Sequence, residues 1–276
     1  MPRISGVDTS ILTNVDNKNI YGFSKINDVQ IPLVNTSGLV LRLDAANPYS
    51  YPTTGTTWFD ISGNNYDGTL TNGPTFDSNN GGTFNFDGVN DYVDSIGTTS
   101  TFDFVCSIGT FSIGFWLNMT SLNTRTFFIG NTLTNIEKGW LIAVEYGASG
   151  FGNNCIRFQA TGNLANTRLI AGSTNDNTVT LGWNHYFFTS INGNFIGQWY
   201  INGLPVTTST RVGVGSANQG SYYTGPLVRN LNVGRCNWTS TILPLPGNLA
   251  NVLIYNRQLS SSEVLNDYNA TKIRFT

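Results

Sequence analysis

A repeated alternation of apolar and polar residues is the feature that most limits how this chain can fold. The clearest case is Phe111-Ser-Ile-Gly-Phe-Trp-Leu-Asn-Met119, where every second residue is large and apolar. Side chains of a β-strand point alternately to opposite faces, so this segment predicts a strand with one buried face. Shorter segments predict further strands at Leu39–Leu43, Thr83–Phe86, Trp140–Tyr146, Ile156–Gln159, His185–Ile191, Gly197–Ile201 and Asn248–Tyr255.

Turn signals separate these segments at short intervals. Asn192-Gly193 and Asn202-Gly203 stand between apolar runs, and Asp87-Gly88 follows another. Such pairs supply the left-handed backbone that tight turns require. Many short strands joined by turns are typical of an all-β sandwich or jelly roll. We predict one jelly-roll domain of two antiparallel sheets over residues 38–276, with a shared core that contains Phe111, Ile113, Phe115 and Leu117.

One short helix is predicted near the C-terminus. Ser260 is a good N-cap residue, and Glu263 three residues later completes a capping box. Leu259 and Val264 stand where a hydrophobic staple packs. The pattern predicts a helix that runs to about Asn269, and a turn is the alternative.

Residues 1–37 differ from the rest of the chain. They contain no Trp, and their apolar residues are too dispersed to bury one another. A segment with apolar residues and no core of its own tends to fold on a partner, and strand addition to a sheet edge needs only main-chain bonds. We predict an extended N-terminal arm for attachment, with a disordered tail or a passive linker as alternatives. Its apolar positions are Ile11, Leu12, Ile20, Phe23, Ile26, Val29 and Ile31.

Charge and hydropathy exclude several classes of protein. Charged residues make up 11% of the chain and the net charge is -2, so the sequence predicts no basic surface for nucleic acid. No apolar run reaches the roughly 18 residues of a membrane span. Met1 to Asn19 hold no apolar signal core, which predicts either synthesis in a cytoplasm or a mature part whose signal is absent. The widely spaced Cys106, Cys155 and Cys236 predict buried free thiols and assembly in a reducing compartment.

Side chains for hydrolytic chemistry are scarce. Retaining glycoside hydrolysis needs two carboxyl groups close together, and neither Glu137 nor Glu145 has a second carboxyl on its own strand. Glu263 is assigned to the capping box. The single histidine, His185, shares a predicted strand face with Phe187, where a structural role is favoured. The chain has no Gly-x-Ser-x-Gly elbow and no phosphate-binding glycine loop. We predict a protein that is not an enzyme.

Two oxygen-rich turns are candidates for calcium. Asp87, Asn90 and Asp91 lie within five residues of one another, and Asp60 lies in a second such turn. Calcium takes six to eight oxygen ligands from carboxylates, amides and carbonyls, which flexible loops supply. Any bound cation is therefore predicted to be calcium at Asp87, Asn90 and Asp91, with Asp60 as a contributor. The alternative is that these side chains cap turns by bonding nearby backbone groups.

Three aromatic residues are candidates for contact with a glycan. Tyr222, Tyr223 and Trp238 lie in stretches rich in Gly, Asn, Ser and Thr, where no periodicity demands burial. Aromatic faces suit the apolar side of a sugar ring, and nearby Asn residues offer donors and acceptors. The alternative is that these rings pack loops or a contact between subunits.

Taken in order, several segments resemble the laminin-G-like, concanavalin A-like lectin/glucanase superfamily, and most closely its bacterial and phage branch. Each segment alone is weakly specific, whereas the ordered set over residues 38–273 is specific. The resemblance implies two antiparallel sheets curved into a jelly roll, and carbohydrate or protein binding, often with calcium at the sheet rim. Its catalytic members use paired glutamates, which are missing here. The segments are Leu39–Ala45, Trp58–Gly68, Phe84–Val93, Phe111–Trp116, Trp183–Tyr186, Trp199–Gly203 and Gly247–Arg257, followed by Leu259 and Glu263.

Three functions compete at this point. The first is a virion surface protein, a capsid decoration, fibre or tail component of a bacteriophage, that displays the lectin-like domain toward a cell-surface glycan. Its arm, residues 1–37, would join capsid or tail proteins, and several copies would form a homo-oligomer. The second is a bacterial surface or secreted adhesin that binds carbohydrate outside the cell. The third is a glycan-active enzyme, which the small number of glutamates disfavours.

Overall fold

A computed structural model of the chain describes residues 25–26, 29–30, 34–107, 109–132, 139–147, 152–161, 168–191, 194–209, 229–238 and 241–276. Two α-helices, two short 3-10 helices (Asn79–Gly81 and Lys272–Arg274) and twenty-one strands occur in these ranges. The α-helices are α1 (Phe104–Ser107) and α2 (Ser261–Thr271). The strands are β1 (Lys25–Ile26), β2 (Val29–Gln30), β3 (Leu39–Asp44), β4 (Thr57–Trp58), β5 (Gly68–Thr71), β6 (Thr75–Asp77), β7 (Thr83–Asp87), β8 (Tyr92–Ile96), β9 (Phe111–Met119), β10 (Thr126–Gly130), β11 (Trp140–Glu145), β12 (Cys155–Thr161), β13 (Arg168–Thr174), β14 (Gly182–Ile191), β15 (Asn194–Ile201), β16 (Leu204–Pro205), β17 (Thr208–Ser209), β18 (Leu231–Val233), β19 (Asn237–Trp238), β20 (Thr241–Ile242) and β21 (Pro246–Tyr255).

Two large antiparallel sheets carry the fold, as the alternation predicts. The nine-stranded sheet has the order β17-β13-β12-β11-β10-β18-β8-β5-β4. The eight-stranded sheet has the order β16-β15-β14-β9-β21-β7-β6, with β3 beside β21. Two further hairpins pair β1 with β2 and β19 with β20. Neighbours that are distant in sequence, such as β9 and β21, give the crossovers of a jelly-roll-like sandwich.

The core lies between the two sheets. All four core residues predicted on β9 are fully buried there, which confirms the predicted alternation. Rings from opposite sheets meet directly: Phe158 of β12 stacks on Phe188 of β14 with centroids 5.0 Å apart. Phe111 lies 5.0 Å from the same Phe158 ring. Burial of such side chains contributes about 1.5–3 kcal/mol each and holds the sheets face to face.

The opposite side of β9 faces outward from the core and is closely packed. Gly114 is paired with Phe187 of β14, and a Cβ at position 114 would overlap the Phe187 ring. Glycine is therefore required here by close packing rather than by backbone conformation. In the predicted Asn202-Gly203 turn, both residues have positive φ, at 52° and 78°. The Asn192-Gly193 turn lies outside the described residues.

Helix α2 begins and ends close to its predicted limits. The Ser260 side chain accepts a hydrogen bond from the N–H of Glu263, and the Glu263 carboxylate accepts one from the N–H of Ser260. This reciprocal capping box confirms the predicted start of the helix. Leu259 and Val264 are both buried in a cluster with Phe187. The helix ends at Thr271, two residues beyond the predicted Asn269.

The end of the predicted arm is fixed to the body. Asp267 of α2 accepts hydrogen bonds from both the backbone N–H of Asn35, at 2.9 Å, and its side-chain amide, at 2.7 Å. The Tyr255 hydroxyl donates to the carbonyl of Asn35, and Arg257 donates to the carbonyl of Ser37. Residues 1–24 lie outside the described residues, so the attachment role of the arm stays a prediction.

The three cysteines are buried free thiols that form no disulfide, as predicted. Burial raises the pKa of the Cys106 and Cys236 thiols well above their ordinary value. Such groups behave as small apolar side chains rather than as nucleophiles. No helix in the described part of the chain is long and apolar enough to cross a membrane.

Candidate functional site

The outer face of the eight-stranded sheet is covered by the C-terminal part of the chain. Trp116 of β9 donates a 2.7 Å hydrogen bond from Nε1 to Oγ1 of Thr271, and its ring stacks on Phe275 at 4.1 Å. Tyr268 of α2 stacks on the same indole at 5.7 Å. The outer face of the nine-stranded sheet is the other candidate surface for a ligand, and most of its described side chains are also buried.

His185 lies beneath this cover and has a structural environment, as expected. Its imidazole is 1% exposed and lies between the rings of Trp116, Phe187 and Tyr268. Nδ1 has no hydrogen-bond partner in the described part of the chain, so packing rather than hydrogen bonding holds the ring. Burial lowers the pKa of His185 to about 3, which keeps the ring neutral at physiological pH.

Strand alternation places a polar row on the outer face of the nine-stranded sheet. Ile156, Phe158 and Ala160 of β12 enter the core, so Arg157 and Gln159 must point to the other side. On β11 the same rule sends Glu145 outward beside them, because Val144 enters the core. We call this surface the polar face, and define it by Asp94, Arg125, Glu145, Arg157, Gln159 and Asn232.

A chain of charged contacts crosses the polar face. Arg125 Nε lies 2.6 Å from Oε2 of Glu145, and Arg157 Nε lies 2.5 Å from Oε1 of the same carboxylate. Arg157 in turn donates from an ω-nitrogen to Oε1 of Gln159. Glu145 and Arg157 are almost completely buried, whereas the Arg125 side chain is 31% exposed. The cluster therefore has one end that solvent reaches.

Burial sets the electrostatics of this cluster. Loss of water lowers the pKa of the Arg157 guanidinium from its ordinary value, and the adjacent Glu145 carboxylate opposes that shift. The ring of Phe127 lies beneath both arginines, with centroid distances of 5.9 Å to Cζ of Arg125 and 5.7 Å to Cζ of Arg157. Two cation–π contacts thus add to the ion pairs that fix the two guanidinium planes.

The polar face continues across β18 and β8. Asn232 donates a 2.7 Å hydrogen bond from its amide to Oδ1 of Asp94. Arg235 lies over the ring of Tyr92, with Cζ 3.3 Å from the centroid. Its Nε is buried without a hydrogen-bond partner in the described part of the chain. Donors and acceptors therefore extend over five neighbouring strands.

The predicted calcium residues Asp87 and Asp91 are neighbours in one turn. Oδ1 of Asp87 accepts the backbone N–H groups of Val89, at 2.7 Å, and of Asn90, at 3.1 Å. Oδ2 of Asp91 accepts the N–H of Asp87. The N–H of Val89 is the main cause that lowers the pKa of Asp87, whereas burial raises the pKa of Asp91. This arrangement is the turn capping that the sequence offered as the alternative.

Asp60 performs a similar local role in its own turn. Its carboxylate accepts the N–H groups of Arg42, Ser62 and Tyr66. Within the described ranges, no group of three or more Asp, Glu, His or Cys side chains is placed to hold a metal ion together. Asp60 therefore does not join Asp87 and Asp91 in such a group. Calcium at Asp87, Asn90 and Asp91 stays a prediction, which a calcium titration followed by melting temperature checks.

Of the three aromatic residues predicted to contact a glycan, only Trp238 lies within the described residues. Tyr222 and Tyr223 lie outside the described residues, as does Glu137. Trp238 lies on β19, paired with Thr241 in a hairpin, but its side chain is outside what the structure describes. Exposed aromatic rings do occur elsewhere: Tyr49, Phe59 and Tyr146 are 41%, 39% and 43% exposed. Tyr146 directly follows Glu145 of the polar face.

The sequence reasoning missed Arg125, Arg157 and Gln159. A signal was present, because two polar residues alternate with apolar ones in Ile156-Arg-Phe-Gln-Ala160. Alternation alone predicts that Arg157 and Gln159 share an outward face. It does not predict that Glu145 of β11 and Arg125 of the segment before β10 meet them.

Solved structures with the same fold include carbohydrate-active and binding proteins. Domain 4 of AbnA, an extracellular GH43 arabinanase from Geobacillus stearothermophilus in complex with arabinotriose, is 17% identical over 84% of this chain and 98% of that chain, with a TM-score of 0.58. The botulinum neurotoxin serotype D binding domain is 13% identical, with a TM-score of 0.56, over 85% of this chain and 52% of that chain. A Trypanosoma rangeli sialidase mutant with trans-sialidase activity is 16% identical, with a TM-score of 0.53, over 88% of this chain and 34% of that chain. At these identities the similarity shows the fold alone.

The two packed sheets and the polar outer face define a lectin-like β-sandwich. The sequence profile of the concanavalin A-like lectin/glucanases superfamily matches residues 87–265, and the chain belongs to that family. This confirms the family resemblance, whereas its bacterial and phage branch stays a prediction. A comparison with curated protein sequences finds no match.

Proposed function

We propose that this domain binds a glycan on its polar face and does so without catalysis. The observation that carries the proposal is the set of hydrogen-bonding side chains on one outer sheet face, fixed by ion pairs and by the Phe127 ring. Sugars are recognised by such fixed donors and acceptors, because each hydroxyl both donates and accepts. The arabinotriose complex of the arabinanase domain supports a sugar as the ligand class.

The arrangement of the glutamates supports a role without catalysis. Both carboxylate oxygens of Glu145 are engaged by guanidinium groups, so neither is placed to face a glycosidic bond. Glu263 bonds Arg257 and caps α2. A reducing-end assay on polysaccharides is expected to detect no turnover by the wild-type protein. Turnover that Glu145→Gln or Glu137→Gln abolishes would overturn this part of the proposal.

A glycan array tests the binding function directly. The full chain is expected to bind at least one class of glycan, and the variant Arg125→Gln, at the exposed end of the cluster, is expected to weaken that binding at least tenfold. Lys272→Gln removes one positive charge from the α2 side of the sandwich, and serves as the matched control. Its exposed side chain directly follows α2, which covers the outer face of the other sheet. An array that is blank for the wild-type protein contradicts the proposal.

We further propose that the domain is displayed on a virion, with residues 1–37 as the attachment segment and with several copies in a homo-oligomer. The free thiols support assembly in a reducing cell, and the hydrogen bonds that Asn35 donates to Asp267 hold the end of the arm against the body. Deletion of residues 1–34 leaves these bonds in place. The truncated protein is expected to remain folded and to be absent from purified particles. Incorporation at the wild-type level would refute the role of the arm.

A further inference from the structure

Solvent reaches a strip of side chains at the Asp94 end of the polar face. Val93 of β8 enters the core, so its neighbours Tyr92 and Asp94 point outward. The register pairs Thr69 of β5 with Asp94, and Thr71 of β5 with Tyr92. Directly opposed residues of an antiparallel pair point to the same face. Thr69 is exposed and the other three are half-buried, so a ligand has access to this strip.

Arg235 holds its guanidinium flat against the strip. Its Cζ lies 3.3 Å from the centroid of the Tyr92 ring. So short a distance requires the two planes to be nearly parallel, because a tilted guanidinium would drive a nitrogen into the ring. The N–H groups of a guanidinium lie in its own plane, so stacking directs them past the edge of the ring. Within the described ranges, Arg235 makes no side-chain hydrogen bond and no ion pair, and its donors are unused.

Asp94 has an unused acceptor on the same strip. Its Oδ1 accepts hydrogen bonds from the side-chain amide of Asn232 and from the N–H of Ser95, both at 2.7 Å. These two bonds fix the carboxylate. Its Oδ2 accepts no hydrogen bond from the residues that the structure describes. Asp94 lies two residues from Tyr92, about 7 Å along β8, so the free acceptor is close to the ring that carries the guanidinium.

The unused donors and the unused acceptor together define the kind of molecule that fits. One group is positive and the other negative, so an anion would meet the carboxylate of Asp94 and a cation would meet the guanidinium of Arg235. Like charges brought together oppose binding. A hydroxyl group carries no charge, and it both donates and accepts a hydrogen bond. Neighbouring hydroxyl groups on one sugar ring therefore satisfy both side chains without repulsion.

We propose that Arg235 and Asp94 bind neighbouring hydroxyl groups of an uncharged sugar residue, so that the glycan recognised by this domain is neutral at this position. This inference rests on the proposed glycan-binding function and names the class of its ligand. Arg235 donates to one hydroxyl oxygen, and Oδ2 of Asp94 accepts the hydrogen of the next. The exposed hydroxyl of Thr69, opposite Asp94, is a further group within the same strip.

An array of matched neutral and charged glycans tests the ligand class with the full chain. The array carries neutral, carboxylated, sulfated and amine-bearing glycans, including cellotriose and the trimers of glucuronic acid and glucosamine with the same linkage. We expect the neutral glycan that binds most strongly to bind at least tenfold more tightly than its charged counterparts. Tighter binding of a charged glycan than of its neutral counterpart overturns the neutral-sugar assignment and leaves glycan binding in place.

Asp94→Asn tests the free acceptor with little change in shape. The amide oxygen of asparagine still accepts from Asn232 and Ser95, whereas its nitrogen replaces Oδ2. We expect an unchanged melting temperature and at least tenfold weaker binding of the best neutral glycan. Binding of its carboxylated counterpart is expected to strengthen, because the repulsion is removed. A structural role alone would weaken both glycans. Asp77→Asn, on β6 of the other sheet, is the matched control and is expected to change neither affinity.

Arg235→Gln tests the donors. It is expected to weaken binding of the best neutral glycan at least tenfold, and Arg235→Lys is expected to retain only part of the affinity, because lysine keeps the charge but loses the planar donors. Lys272→Gln is the matched control, since Lys272 also lies over a tyrosine ring, that of Tyr268 at 5.4 Å.

The outcomes separate this site from the function on which it rests. An unchanged affinity in either Asp94→Asn or Arg235→Gln refutes the paired site, and a loss in Arg125→Gln alone places the glycan elsewhere on the polar face. Equal losses in Arg235→Gln and Lys272→Gln reveal a general effect of charge and also refute the site. Failure of every glycan on the array to bind overturns both proposals.

Discussion

Replacing Asp267 with asparagine is expected to stabilise the fold at neutral pH, because the surroundings of this carboxylate favour its neutral form. The Tyr255 hydroxyl lies 2.9 Å from Oδ2 of Asp267 and 3.1 Å from the carbonyl oxygen of Asn35. One hydroxyl hydrogen cannot serve both acceptors. A protonated Asp267, or the amide of asparagine, donates to the Tyr255 oxygen and frees that hydrogen for Asn35.

The size and sign of the effect follow from the pKa. Burial, opposed by the hydrogen bonds from Asn35 and Tyr255, raises the pKa of Asp267 from its ordinary 3.8 to about 6. At 1.36 kcal/mol for each pKa unit, the charged form costs the folded state about 3 kcal/mol. The folded chain holds its proton more tightly than the unfolded chain, so stability falls as pH rises from about 4 to about 6. Above pH 6 the charged Asp267 carboxylate lowers the free energy of unfolding by the full amount, and below pH 4 this loss is absent.

Urea unfolding followed by tryptophan fluorescence between pH 4 and 8 measures this contribution. Asp267→Asn is expected to be about 1–3 kcal/mol more stable than the wild type at pH 7.5 and equal to it at pH 4. Asp77→Asn, at a carboxylate on the last residue of β6, is the matched control and is expected not to raise the stability at pH 7.5. Parallel profiles for wild type and Asp267→Asn would refute the reasoning.

Three further substitutions probe other parts of the structure. Gly114→Ala forces a Cβ into the ring of Phe187 and is expected to cost about 1–3 kcal/mol, seen as a lower melting temperature. Glu145→Gln removes the buried carboxylate that pairs with Arg125 and Arg157 and is expected to cost about 3–5 kcal/mol in urea unfolding. The side-chain donor of Arg257 lowers the pKa of Glu263 to about 2, so this carboxylate stabilises the fold above pH 4.5 and loses that contribution as pH falls toward 2. Glu263→Gln is accordingly expected to cost about 1 kcal/mol at pH 7 and little at pH 2. A cost that does not change with pH would contradict this account of Glu263.

The strands and the helix start were predictable because their signals are local. The period of two in Phe111–Met119 requires only that one face is buried, and the structure buries that face completely. The capping box at Ser260 and Glu263 is likewise complete within four residues. The pairing of β9 with β21 was not predictable, since it joins residues more than a hundred positions apart and no local pattern specifies that register.

The candidate site depends on the pairing of segments that are distant in sequence. Local sequence patterns do not predict that pairing, so they do not predict the site. From the sequence, Glu145 is only a candidate catalytic carboxyl, and it has no second carboxyl on its own strand. Its partners are instead Arg125 from the segment before β10 and Arg157 from β12. They meet because β10, β11 and β12 are neighbours in the nine-stranded sheet. The short-range prediction of turn capping succeeded at Asp87 because its partners, Val89 and Asn90, follow within three residues.

The position of the buried ion pairs bears on what the domain does. Replacing a buried ion pair with apolar side chains of similar volume is often neutral or stabilising, so such pairs are weak evidence for a purely structural role. Here the cluster of Arg125, Glu145 and Arg157 lies on the outer face of the nine-stranded sheet. Helix α2 covers the outer face of the eight-stranded sheet instead. The apolar core between the sheets is complete without the cluster. Recognition of a ligand gives the polar face a role that packing does not, which is why the proposed binding site is placed there and not at the turn around Asp87.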